Sequence, residues 1–576
     1  MHVRELARAF AIAALAASCA GGGAGPLHPG VAATSSGSAR TSTVVEVPFR
    51  TRFEIAFDVP ARTLAPEDVT IVARFTAPSG AIITTGGFLS HGTFHVRFTP
   101  REIGLHHYVV NADGGVGWRE VAHGSMMATP GGAGGFIGLD PRDKHRLVRE
   151  DGQPVYVLGE NRSDIYDPGS NAGELDTQAY LARMASFGMR TVRVLVQSDC
   201  VSDSAPGGYQ IGCLEPSLGR FDERTADAFD ALFDGAERSG IDVVLVAFAS
   251  GFTPGAERRK SWADNPYSLA RGGPARAPED MFTSAAARSA AARRFRYIAD
   301  RWGASPRLLA IDLLDEPERD GPIPETVWVP WAEAMSATWR AADPYHHLVT
   351  TGSVGPARAW NASPRDDIVQ WHVDDKQLRD PRALALATSR TAQDAWSFGK
   401  PVVCGDLAYG GKEANGLEHT HVGIWSLAFS GVGTLAHSDV REPMTQERGA
   451  HFKVLSDFLG SFDIAPIAPA RDVRVTRGGA RAWSVVTPDL LSRGIWLLAP
   501  AAGYGGAVVG ATLSLPSPPP GPYVVNWVDD TTGAEVAVFR FSSPGSGEVT
   551  LSVPTFSRHI AARLHRDVPL GERARP

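Results

Sequence analysis

The sequence predicts a multidomain protein of mixed α/β and all-β class. A central (β/α)8 barrel, the TIM-barrel fold, lies between an N-terminal and a C-terminal β-sandwich. Three observations predict it. The 576 residues are enough for three or four domains at roughly 150 residues each. Residues 136–465 carry eight short apolar runs that alternate with helical periodicity. On either side the pattern changes to short β-branched runs divided by Pro and Gly turns.

Composition bounds the function classes. Apolar residues are 43% and charged residues 21%, an ordinary globular balance that excludes a disordered or fibrous chain. Lys plus Arg is 56 against 63 Asp plus Glu, a net of −7. That leaves no basic footprint for nucleic acid, so no nucleic-acid partner is expected. The 13 Trp suit stacking surfaces as well as cores.

Residues 1–19 read as an address. Arg4 and Arg8 precede an apolar run over 9–17, too short to span a bilayer. Ala16-Ala17-Ser18-Cys19 resembles a bacterial lipobox, which implies cleavage before Cys19 and diacylation of its thiol. A plain signal peptide containing a Cys is the alternative. Residues 20–42 are rich in Gly, Ser and Ala and read as a flexible tether. The expected location is the bacterial cell envelope, as an exported lipoprotein touching the membrane only through this anchor.

An exported chain meets an oxidising compartment. Cys200 and Cys213 flank a Gly/Pro/Ser loop, and a disulfide between them is expected. Cys404 lies in an apolar run and reads as a buried free thiol. No His spacing matches these cysteines, so no metal site is predicted.

Residues 43–130 form the first sandwich, with strands over 44–47, 52–57, 69–75 and 93–98. Gly131-Gly132-Ala133-Gly134-Gly135 marks a boundary. In the barrel region, 136–465, strands are expected over 155–158, 191–195, 242–248, 308–313, 348–351, 368–371, 401–404 and 432–435. Helices are expected over 177–187, 226–239, 284–302, 331–342 and 387–398. The fifth connection is short, so its helix has only a turn or two. An open doubly wound sheet is the structural alternative, but no glycine-rich phosphate fingerprint follows the first strand. Residues 468–576 return to strands, over 472–475, 482–486, 495–498, 523–528, 536–541 and 548–553.

In such a barrel the reacting groups lie at the C-terminal ends of the strands. The fourth strand leads into Asp315-Glu316-Pro317-Glu318, the seventh into Gly405-Asp406 and the sixth into His372. Arg193 lies in the second, Glu160 and Asp164 follow the first, and the eighth runs toward His437 and Asp439. Two carboxylates facing across a pocket are what glycoside hydrolysis needs: one protonates the leaving oxygen, the other attacks the anomeric carbon or activates water. Trp371, Trp360 and Trp262 are candidate sugar-stacking platforms, and Tyr409 a candidate hydroxyl ligand.

On these motifs the middle region resembles the clan A glycoside hydrolases of the family-five cellulase and mannanase type. There the fourth strand ends in Asn-Glu-Pro, whose Glu is the acid/base, and the seventh in Gly-Glu, whose Glu is the nucleophile. Asp315-Glu316-Pro317 is similar to the first motif with Asp in place of Asn. Lys400-Pro401-Val402-Val403-Cys404-Gly405-Asp406 is similar to the second with Asp in place of Glu. The resemblance implies that Glu316 is the acid/base and Asp406 the nucleophile or base. It also implies that Arg193 supports the nucleophile and that His372 lines the cleft. Phe94-His95-Val96-Arg97-Phe98-Thr99-Pro100 and Gly521-Pro522-Tyr523-Val524-Val525-Asn526-Trp527 resemble the sandwiches that flank some of these barrels. The implied activity is cleavage of β-glycosidic bonds in a carbohydrate substrate, without metal or organic cofactor.

Both departures fall on chemistry. Retaining pairs sit about 5–5.5 Å apart and inverting pairs about 6.5–9.5 Å. An Asp, one methylene shorter, retracts its carboxylate by roughly 1.5 Å, and misplacement by about 1 Å can cost about 100-fold. The outcomes are a compensating backbone shift, a water-filled gap with inversion, or a catalytically impaired carbohydrate-binding barrel. A structural surface lipoprotein is the third class of reading.

Overall fold

A computed structural model describes residues 32–34, 44–60, 62–132, 134–162, 177–197, 213–249, 262–320, 323–373, 380–407, 415–438, 444–462 and 468–567. Its centre is a parallel eight-stranded barrel. The strands are β1 (Leu158–Arg162), β2 (Thr191–Gln197), β3 (Asp242–Ala249), β4 (Leu308–Asp315), β5 (Leu348–Gly352), β6 (Val369–Val373), β7 (Val402–Leu407) and β8 (Gly433–Ser438). A helix follows each in turn: α1 (Thr177–Ser186), α2 (Glu223–Ser239), α3 (Ala285–Trp302), α4 (Glu325–Ala342), α5 (Arg358–Asn361), α6 (Pro381–Trp396), α7 (Asn415–Ala428) and α8 (Gln446–Gly460). The continuous ladder runs β5-β4-β3-β2-β1-β8-β7-β6. Its two ends meet along a thin seam. There Asp367 N–H donates to Val349 O at 2.9 Å and His372 N–H to Ser353 O at 2.8 Å. Thr350 Oγ1 adds a bond to Ile368 O at 2.8 Å.

Local chemistry explains the elements. β3 is buried at every position, as a strand covered on both faces must be. Asp222 caps α2 by accepting Thr225 N–H, and Gly240 ends that helix at φ 68°, the left-handed cap that glycine takes without a Cβ penalty. Asp380 caps α6, with Pro381 opening it. The short α5 bears out the expectation of only a turn or two after the fifth strand.

The first strand falls elsewhere than expected. Val155 pairs antiparallel with Leu147 in a hairpin below the barrel, and β1 begins only at Leu158. Every residue of β1 is buried, including Glu160, Asn161 and Arg162, so its polar sequence hides a fully enclosed strand. Four other site strands also run longer than their apolar cores. Asp315, His372, Asp406 and His437 therefore sit on the last strand residues rather than in loops.

Two largely antiparallel assemblies flank the barrel; in the first, Val45–Pro48 runs parallel to Arg119–Thr129. In the first, the sheet Val45–Pro48, Arg119–Thr129, Gly104–Asp113, Thr70–Thr76, Ile82–Gly86 faces a smaller sheet built on Phe53–Phe57, Thr93–Phe98 and Phe88–Ser90. Phe75 stacks on Phe98 between them at 4.0 Å. Arg97 leaves this sandwich to pair with Asp230 of α2 at 2.7 Å and to reach Arg301 O at 2.7 Å. In the second, a six-stranded sheet lies over the barrel helices on one face and packs against a three-stranded sheet on the other. Trp483 and Trp496 belong to the same apolar core as Trp425 and Phe458 of the barrel. The barrel-facing side of this sandwich thus joins the barrel's apolar core, while its two sheets enclose a second core of their own.

Cys404 is a buried free thiol, as expected, and burial pushes its pKa up. Cys213 is disulfide-bonded; Cys200, its expected partner, lies outside the described residues, as do Cys19, Asp164, Tyr409 and Asp439. Among the described residues no helix is long and apolar enough to cross a membrane.

Candidate active site

The mouth of the barrel is organised around a buried guanidinium. Arg193 of β2 is fully enclosed. Its Nε and Nη2 donate to Asp312 Oδ2 at 3.0 and 2.9 Å, and Nη1 donates to Asn161 Oδ1 at 3.0 Å. Nη2 also donates to Asp315 Oδ1 at 2.5 Å. Gln370 of β6 and the Gly352 N–H complete the shell of Asp312, at 2.6 and 3.1 Å. A buried cation is tolerated only when paired and hydrogen-bonded in this way. The charge that Asp315 brings in place of Asn is therefore met by Arg193. The expected link from Arg193 to Asp406 is not a hydrogen bond: the guanidinium is committed to Asp312, Asn161 and Asp315, and acts on Asp406 through charge alone.

Glu316 follows β4 in an uncommon conformation. Its φ is 41°, in the left-handed region that an L-residue adopts only under structural constraint. The constraint is visible: its N–H donates to Gly352 O at 2.9 Å and its own carbonyl accepts from Arg319 N–H at 3.0 Å. This turn aims the side chain at β6, where Oε1 lies 2.8 Å from His372 Nδ1. Arg319 holds the other oxygen at 2.9 Å. The residue is 7% exposed.

Asp406 arrives from the other side. It stands opposite His372 in the β6–β7 register, and its Oδ1 lies 3.2 Å from His437 Nδ1 on β8. Burial favours its neutral form, but the neighbouring His437, with the charges of His372 and Arg193, holds it below the ordinary aspartate value. Burial likewise opposes charge on His372, yet the hydrogen bond to Glu316 and the nearby Asp315 charge hold its pKa above the ordinary value. His372 thus stands between an ionisable Glu on one strand and an ionised Asp on the next.

The remaining predicted residues divide. Glu316, Asp315, Arg193, His372 and Asp406 converge. Glu160 does not offer itself to the mouth: it is fully enclosed, accepting from Arg448 Nε at 3.0 Å and from the Tyr180 hydroxyl, and so braces β1 against α1 and α8. Trp371, Trp360 and Trp262 are 1%, 0% and 6% exposed, core residues rather than open platforms. Asp312, Asn161, Gln370 and Arg319 were not singled out from sequence. Asp312 carried a signal, a lone acid inside the apolar run Leu308–Asp315. His437 was noted only as the direction of the eighth strand.

The comparisons with known proteins agree with this architecture. Residues 47–113 match a family model described as a domain of unknown function, DUF5060. No curated protein matches the chain. Among solved structures, the chain is similar to a candidate glycoside hydrolase from Bacteroides vulgatus ATCC 8482, at 16% identity and TM-score 0.66, covering 90% of this chain and 99% of that one. It is also similar to a family 5 glycoside hydrolase from the same organism, at 14% identity and TM-score 0.54, covering 77% and 96%. A third, named as a glycoside hydrolase, has 14% identity and TM-score 0.52, covering 75% and 97%. The chain has the fold of these proteins.

Proposed function

We propose that this chain is a glycoside hydrolase that cleaves β-glycosidic bonds in a polysaccharide or oligosaccharide. Glu316 is the general acid/base and Asp406 the nucleophile or water-activating base. The observation that carries the reading is the placement of these two carboxylates on β4 and β7, on either side of His372, at the end of the barrel where such enzymes react. Asp406, held ionised, is ready to attack or to accept a proton from water. Glu316 is oriented by His372 and Arg319, and delivers a proton to the leaving oxygen. Arg193 and Asp312 act as positioning residues: they fix β2, β4 and β6 at the depth from which both carboxylates project. The likeness in fold to named glycoside hydrolases supports the reading.

The test is reducing-sugar release from a panel of β-glucans, mannans, xylans and galactans. Glu316→Gln and Asp406→Asn should each lower kcat by about 100- to 10,000-fold, the range for a lost acid/base group, while glycan binding persists. The anomer released separates retention from inversion. Binding without release from any glycan in the wild type would instead identify a carbohydrate-binding pseudoenzyme.

We propose further that the chain is an exported lipoprotein acylated at Cys19. Palmitate labelling in a bacterial host checks this: Cys19→Ser should abolish the label and release the protein from the membrane fraction.

A further inference from the structure

A second cluster of titratable groups lies far from the mouth, where the C-terminal sandwich meets α7 and α8. Asp530, 1% exposed, follows the strand Gly521–Val528. Its Oδ1 lies 2.5 Å from His559 Nδ1, and its Oδ2 lies 3.2 Å from His421 Nε2 on α7. Trp496 Nε1 donates to the same Oδ2 at 2.7 Å. His559 turns its other nitrogen toward Glu418 of α7, at 3.5 Å. Glu418 also accepts from the Tyr504 hydroxyl and from Arg558 at 3.2 Å. The His421 and His559 rings stack 4.0 Å apart at 26°. Finally, His421 Nδ1 lies 3.0 Å from His451 Nδ1 on α8.

The last contact restricts protonation. Two nitrogens at that distance need one N–H and one lone pair. His421 already directs Nε2 at a carboxylate, so its Nδ1 is the bare acceptor and His451 supplies the proton. A proton added to His421 lands on Nδ1 and turns the contact into N–H against N–H. It also places a second cation face to face with His559. The bonds that cross the interface are those of His421 to Asp530 and of Glu418 to Tyr504 and Arg558, with the His421–His559 stack.

We propose that His421, His451, His559, Asp530 and Glu418 form a proton-operated latch, which seats the C-terminal sandwich on the barrel and releases it as pH falls.

The electrostatics give the direction. His421 is held below the ordinary histidine value by burial and by the charge of His559. His451 is pushed down to about 4 by burial and by His421. A histidine kept neutral in the closed interface takes up its proton once the interface opens. The stabilisation is therefore present above the ordinary histidine pKa of about 6.5 and is lost as pH falls below it. Burial opposes charge on His559, but Asp530 and Glu418 raise it to about 10. Glu418 is pulled to about 2, against burial, by His559, and Asp530 is held below its usual range by His559 and His421 against burial. These three keep their charges between pH 8 and 5 and do not set the trend. The same His421, Asp530 and His559 atoms are also a donor set that a cation would accept. Their face-to-face stacking and hydrogen-bond spacing favour the proton.

Hydrogen–deuterium exchange on the full chain, corrected for intrinsic pH dependence, tests the latch. Protection of Asn415–Ala428 and Ser492–Leu498 should fall by up to about tenfold per histidine from pH 7.5 to 5.5, one proton's linkage over roughly one unit, while β3 stays protected. His421→Gln, which does not titrate, should flatten that dependence, and His451→Gln should reduce it. A flat wild-type profile overturns the proposal without any variant. So does an equal fall in His421→Gln, or a change in protection on adding Zn2+ or EDTA at pH 7.5, which would make the cluster a metal site.

Discussion

A single histidine decides how Asp406 behaves. Burial pushes this carboxyl toward its neutral form, and His437, exposed on one side and 3.2 Å away, outweighs that push. Replacing it by His437→Gln removes the largest stabiliser of the anion, so the Asp406 pKa rises. The acid limb of the kcat–pH profile should then move to higher pH, with a larger loss at pH 5 than at pH 8. An unmoved limb would mean that another group governs it. Asp315 carries the opposite lesson. As an acid in place of an amide it looks disruptive in the sequence, yet Arg193 meets its charge at 2.5 Å. The departure is compensated two strands away.

At the scale of the element, β5 ends where nothing larger than hydrogen fits. A Cβ on Gly352 would meet His372 Nε2 at 2.6 Å and Arg193 Nη2 at 3.0 Å, and Gly352 O also fixes the Glu316 turn. Gly352→Ala should therefore lower kcat at least about tenfold by shifting both side chains, with circular dichroism and the fold unchanged. Wild-type kcat in that variant would dissociate His372 from the reaction. The same strand ends show what the sequence could and could not reveal. β2 to β8 announce themselves as apolar runs, because strands buried on both faces must be apolar there. β1 does not, since Glu160, Asn161 and Arg162 are buried as partners of Tyr180, Arg193 and Arg448, and such pairing across distant segments leaves no local pattern. Motif spacing located Glu316 and Asp406. It could not tell an open Trp from an enclosed one, because Trp371 and a cleft platform have the same strand-end address. α7 and α8 do not stand out in the sequence: Gly and His dilute the periodicity of α7, and part of the cover of these helices is supplied by another sheet.

Across the whole molecule, the two sandwiches meet the barrel through interfaces of opposite pH response. At the N-terminal side, Asp300 of α3 is wedged against Gly86, where a Cβ would come within 2.3 Å of its oxygen. Burial pushes its pKa up to about 8, against the pull of the Gly86 N–H and Arg296. A carboxyl that is protonated in the fold contributes stability that is full below its unfolded value near 3.8 and is lost as pH rises through about 8. Asp300→Asn should raise the thermal midpoint at pH 8 by about 2–4 °C or more, leaving pH 4 unchanged, as read by calorimetry. The His421 cluster responds the other way, so acid should tighten one sandwich while loosening the other. The seam between β5 and β6 has a consequence of a mechanical kind. The short way round the barrel from Glu316 on β4 to Asp406 on β7 crosses it, and few backbone bonds hold it. The spacing of the two carboxylates proposed as acid and base thus depends on the compliance of one joint as much as on side-chain length. A missing methylene at Asp406 can be recovered by a small closure there. Changes confined to residues 353–368 could then widen or narrow the gap, and move the outcome between retention and inversion, with both carboxylates untouched.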